Sequence, residues 1–169
     1  MLTDSQLVTL RAAVFATPEA AALLAAGNSA GLRDYLNTAS AAICWRTAVS
    51  QDEIMQNGFD WTRVDNLSVG KGRVWEWLFV NESRAINPSK ANVRAGIAQV
   101  WQGTAADLAV RAAVYGHCKR AATNAEHMLA TGAGTASDPA QFSFQGEISD
   151  YDSSRLIWKD NGDIWTPQG

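Results

Sequence analysis

The chain has 169 residues, a formal net charge of −3, 47% apolar residues and 18% charged residues. That length suits one domain with a real core. The acidic balance, with basic residues scattered except at Lys119-Arg120, argues against a phosphate-binding surface. A charge content below the roughly 25% of typical soluble domains points toward large protein–protein contacts.

In chain order, Thr3-Asp4-Ser5-Gln6 forms a capping box, followed by Leu7, Leu10 and Val14 at helical spacing, with Leu2 as a staple. Thr17-Pro18-Glu19 starts a second helix that ends at Gly27, and Asn28 caps a third carrying Leu32, Tyr35 and Leu36. Ala39 to Val49 is β-prone and reads as an extended connector. Ser50 and Glu53 form a second capping box, and Asn57-Gly58 stops that short helix. Asp60 is placed to cap the next turn, with Trp61 and Val64 facing inward.

Ser68 to Ala85 carries a broad apolar face of Val69, Val74, Trp75, Leu78 and Phe79. Gly70 and Gly72 each cost about 1 kcal/mol inside a helix, tolerable where a neighbouring backbone packs closely. Asn87-Pro88-Ser89-Lys90 opens a helix whose inward stripe is Val93, Ile97, Val100 and Trp101. Thr104-Ala105-Ala106-Asp107 is a third capping box, predicting one long, central, Ala-rich helix to about Ala130. Thr131 to Ala140 reads as a flexible linker, Phe142 and Phe144 as strand-like, and Ser149 to Lys159 as one further helix. The predicted fold is mainly α: a helical bundle with a long central helix (core 1–130), then a linker and an extended C-terminal arm (131–169).

No catalytic, cofactor-binding or metal-binding constellation is expected. His117 and His127, on one predicted helix, lie about 15 Å apart by helical rise, too far to share a metal. Glu53, Asp60, Glu76 and Glu82 are the acids from which a carboxylate pair for glycoside cleavage could be drawn, although Glu53 and Asp60 have capping roles. Gly70-Lys71-Gly72 is too short for a phosphate loop. Cys44 and Cys118 read as buried thiols. Trp75 and Trp77, two positions apart, point to different faces, one toward the core and one toward an interface. The start Met1-Leu2-Thr3-Asp4 lacks a basic stretch and an apolar h-region, and no apolar run reaches membrane-spanning length. Use in the cytoplasm, or in something assembled there, is therefore expected. Trp158, Ile164 and Trp165 in the polar tail either fold back onto the core or dock onto a partner.

The runs Trp45-Arg46-Thr47, Asp60-Trp61-Thr62-Arg63-Val64-Asp65-Asn66-Leu67, Val74-Trp75-Glu76-Trp77-Leu78-Phe79, Ile86-Asn87-Pro88-Ser89-Lys90 and Thr104-Ala105-Ala106-Asp107-Leu108 resemble a family of small tailed-bacteriophage virion proteins, over roughly residues 1–148. For a helical protein of this size, the resemblance implies a head–tail connector (adaptor) in the virion neck, assembled in the host cytoplasm. It implies a ring of about twelve copies closed by head-to-tail contacts. The ring sits between the portal protein and a tail-side connector or tail terminator. DNA passes through it without sequence-specific binding, and no membrane is involved. On this reading Trp158, Ile164 and Trp165 anchor an arm on the portal, and truncation after Gly146 leaves a folded core that no longer binds. Arg63, Arg73 and Arg84 become candidates for intersubunit ion pairs. The alternatives are a small lytic hydrolase and a non-enzymatic regulator of the host.

Overall fold

A computed structural model describes residues 1–56 and 59–167; the expected stop at Asn57-Gly58 lies outside them. The elements in chain order are α1 (Asp4–Ala16), α2 (Pro18–Ala25), α3 (Ser29–Asn37), β1 (Ala39–Trp45), β2 (Val49–Ser50), α4 (Gln51–Ile54), α5 (Trp61–Asp65), α6 (Val69–Leu78), β3 (Ala85–Ile86), α7 (Ala91–Val100), α8 (Ala105–His117), β4 (Lys119–Thr123), α9 (Asn124–Leu129) and α10 (Asp150–Ile157). They fall into two compact units, Met1–Cys44 with Ala121–Gly169, and Trp45–Arg120. The division is thus not at residue 130. The chain passes from the first unit to the second inside β1 and returns inside β4.

In the first unit, local signals and structure agree at the start. The Thr3 box forms on both sides, Pro18 opens α2, and Asn28 accepts from the Gly31 N–H to cap α3. Leu7, Leu10, Val14, Leu24, Leu32 and Leu36 enter one core with Leu129 from α9 and Leu156 and Ile157 from α10. Burying such aliphatic side chains is the main favourable term in folding. The β1 strand pairs with β4, and within this unit the Ser40 hydroxyl donates to the Ala122 carbonyl at 3.0 Å.

The second unit has a core of its own, built from Val49, Ile54, Trp75, Phe79, Ile86, Ile97, Val100, Trp101, Val110 and Val114. The β2 and β3 strands pair antiparallel, Val49 opposite Ile86 and Ser50 opposite Ala85. The Ser50 and Thr104 boxes and the Asp60 cap all form.

Several expectations are corrected. The fold is not a pure helical bundle. Among the described residues it is mixed, about 52% helical with ten helices and 13% strand in two small sheets. The long central helix does not exist, because α8 ends at His117 with Cys118 as its C-cap and the next five residues form β4. A fresh capping box, Thr123 with Glu126, then opens α9. The connector of 39–49 is extended as expected, but its first seven residues are a paired strand. Asn87 does not cap α7; its carboxamide oxygen accepts from the Ser89 N–H and hydroxyl, and α7 starts at Ala91. The C-terminal segment is no extended arm, because α10 buries Leu156 and Ile157 completely. No single helix among the described residues is long and apolar enough to cross a membrane.

Candidate interaction surfaces

In each unit an apolar surface has a defined cause. In the second unit the cause is the aromatic packing beneath α6. Trp75 and Phe79, one turn apart, face inward. The Trp75 ring lies 5.3 Å from Trp101 and 5.1 Å from Phe79, both edge-on, and stacks at 6.0 Å on Phe59. Edge-on and offset contacts at these separations suit the ring quadrupoles. With those positions committed to the core, the helical period turns Val69, Arg73, Glu76, Trp77 and Val80 outward. Val69 is 75% exposed, Trp77 71% and Val80 73%. The Trp75/Trp77 pair thus divides between core and surface. Two expected inward residues are found elsewhere: Val69 is on this outer face, and Trp61 is 56% exposed. The expected close packing at Gly70 and Gly72 is also absent, since a Cβ at either position meets nothing within 4 Å.

In the first unit the structure brings Trp158, Ile164 and Trp165 together. Trp158 ends α10 and pairs antiparallel with Ile164. Its ring edge lies 3.1 Å from where a Cβ would stand at Gly27, whose φ of +65° suits glycine. Ile164 packs against the core, and the Trp165 N–H donates to the Ile157 carbonyl at 2.9 Å. The Arg11 guanidinium lies 3.9 Å over the Trp165 ring and donates to the Leu156 and Arg155 carbonyls at 3.1 and 2.7 Å. Burial, with the Arg155 charge nearby, lowers the Arg11 pKa from its ordinary value. The result is a groove of about 510 Å³ lined by Val8, Arg11, Arg155, Trp158, Lys159 and Trp165 among others, with Trp158 41% exposed on it. Folding back and partner docking, separate alternatives in the sequence, are compatible here. Ile164 and Trp165 are tied to the fold while Trp158 stays half open. Val8 and Arg11 had no sequence signal beyond lying on the outer side of α1.

The acids considered for catalysis are engaged or dispersed. Arg46 grips Glu53 through its two terminal guanidinium nitrogens, at 2.5 and 3.2 Å. That hydrogen bonding lowers the Glu53 pKa, so the carboxylate is suited to an ion pair rather than to proton donation. Asp60 accepts from the Thr62 N–H and hydroxyl, while Glu76 and Glu82 are exposed. Among the described residues no group of three or more His, Cys, Asp and Glu side chains could hold a metal. The His117 carbonyl accepts from Arg46, and His127 lines a separate polar cleft with Glu19 and Asp34. Cys44 and Cys118 are both buried, and burial pushes the Cys118 thiol up to about 12.

Arg63, a candidate for an intersubunit ion pair on the sequence reading, instead pairs within the chain with Asp107, at 2.5 Å. Asp107 also completes the α8 box with Thr104. Hydrogen bonds from Arg63 and then Thr104 lower its pKa from 3.8 to about 2. Because the folded value lies below the unfolded one, its contribution to stability is present above pH 3.8 and is lost as pH falls toward 2. Asp107→Asn should lower the urea midpoint at neutral pH, and its difference from wild type should shrink toward zero at the acid end. A constant difference at every pH would assign the loss to something other than the charge.

No family model, no curated protein and no solved structure matches this chain.

Proposed function

We propose that this protein is a structural subunit of a tailed-phage head–tail connector. Copies form a ring of about twelve below the portal, and DNA passes through the lumen without sequence-specific contact. The observation that carries the reading is the exposure of Trp77 and Trp61 in a chain so poor in charge. The fold needs Trp75 in its core, but it gains nothing from a tryptophan at 77. Large exposed aromatics are the side chains that carry most energy at protein interfaces. Trp61 and Trp77 lie within the runs that resemble virion proteins. The groove holding Trp158 supplies the portal contact, with Ile164 and Trp165 supporting it from beneath.

The experiment is electron microscopy of a lysate from a phage lacking this gene. Filled or leaking heads accumulating apart from free tails are expected. Normal, joined and infectious particles would overturn the proposal. For the anchor, Trp158→Ala and Val8→Asp should each weaken co-sedimentation with purified portal at least tenfold, with a melting curve that stays cooperative and is nearly unchanged for Val8→Asp. Retained binding by both variants would move the portal contact elsewhere.

A further inference from the structure

The outer face of α6 has a pattern that bears on what covers it. At 100° per residue, Val69, Arg73, Glu76 and Val80 fall within an arc of about 60°. The turn continues past the last helical residue, since the Val80 N–H donates to the Trp77 carbonyl at 3.3 Å. The order along this seam is apolar, positive, negative, apolar. The spacing is symmetric: Arg73 stands one turn after Val69, and Glu76 one turn before Val80. Neither Arg73 nor Glu76 forms an ion pair among the described residues, and both are exposed.

Reversing this seam end for end maps each valine onto the other valine and each charge onto the opposite charge. An antiparallel second copy therefore fits it in one register. Val69 meets Val80 of the partner subunit, and Arg73 meets Glu76 of the partner subunit. Trp77, 71% exposed, flanks this seam and packs along its edge in the same arrangement. A parallel copy would set Arg73 against its own equivalent, which costs free energy. A partner of unrelated sequence would give no reason for the symmetry.

We infer that the free protein pairs through α6 with a second copy of itself, two-fold and antiparallel. The contact is isologous, whereas ring contacts are heterologous. The inference therefore does not rest on the connector reading, and within a ring this pairing is released. One helix face falls below the ~1,200 Å² of a standard stable interface, so the dimer is weak and dissociates in the micromolar range.

The test is sedimentation velocity of the full chain from about 1 to 200 µM, a range that brackets such an affinity. A dimer fraction that rises with concentration is expected. Trp77→Ala and Arg73→Glu should each weaken association at least tenfold, and the double variant Arg73→Glu/Glu76→Arg should restore it. For the register, Val69→Cys and Val80→Cys proteins should form a disulfide-linked dimer when mixed under mild oxidation, and neither should do so alone. Buried Cys44 and Cys118 stay silent in that experiment. All the altered residues are exposed, so circular dichroism should be unchanged. A protein monomeric throughout, association that survives both single substitutions, a charge swap that fails to restore it, or single-cysteine proteins that self-link as readily as the mixture would each overturn the inference. A monomer would leave the connector proposal standing.

Discussion

Truncation after Gly146 is expected to abolish cooperative folding of the first unit, not merely to remove a docking segment. The cut deletes Ile148, Leu156 and Ile157, which are essentially unexposed in the core that also holds α1, α2 and α3. Losing each buried aliphatic costs about 2–5 kcal/mol, and the whole stability of a domain is about 5–15 kcal/mol. Polar ties go as well. Asp152, fully buried, accepts the Leu2 N–H at 3.0 Å, and the Ser153 hydroxyl donates to the Ser29 carbonyl at 2.7 Å. The carboxamide of Asn37 would be left without Ile148, with which it exchanges two hydrogen bonds. The expected product is insoluble, or protease-sensitive with no sharp melting transition. A truncated protein melting cooperatively near the wild-type temperature would show that α10 is dispensable. Loss of portal binding after this truncation consequently says nothing about an anchor, and the point variants at Trp158 and Val8 are the informative ones.

Trp75→Ala should destabilise the second unit by about 3–5 kcal/mol, the usual cost of truncating a core aromatic. Trp75 touches Phe59, Phe79 and Trp101 at once, so removing it opens a cavity lined by three rings. Trp77→Ala, two residues along, should stay within about 0.5 kcal/mol of wild type, as exposed substitutions do. Urea unfolding of the two variants decides the matter. Equal effects would mean that α6 is rotated from the orientation described. The Trp75 and Trp101 indole N–H groups are buried without a hydrogen-bond partner among the described residues. Replacement of either by Phe therefore forfeits no hydrogen bond and should cost less than replacement by Ala.

Local chemistry was legible in the sequence, and long-range pairing was not. Thr3, Ser50, Asp60 and Thr104 cap their helices as read, because a cap depends on atoms within three or four residues. The inward stripe Ile97, Val100 and Trp101 followed from helical period alone. The break at Cys118 was half legible. Thr123-Asn124-Ala125-Glu126 is a capping box, but alanines on both sides of it favour helix and hid it. What makes Lys119–Thr123 a strand is its pairing with β1, some eighty residues earlier, and no local propensity encodes that partner.

The tryptophans divide in the same way. Their spacing showed that Trp75 and Trp77 face opposite ways, but not which faced inward. That was decided by Phe59 and Trp101, whose rings close around Trp75 from distant parts of the chain. Trp158, Ile164 and Trp165 were recognisable as too apolar for a free tail. Their position beside Arg11 was decided by the docking of α10 into the core of the first unit. By itself the sequence determined the capping boxes at Thr3, Ser50 and Thr104, the cap at Asp60, the stripe Ile97, Val100 and Trp101 and the low charge content, each a property of neighbouring residues. Only the tertiary structure decided the strand pairing, the two-unit division and which aromatics remain uncovered, because each depends on contacts whose partners lie far apart along the chain.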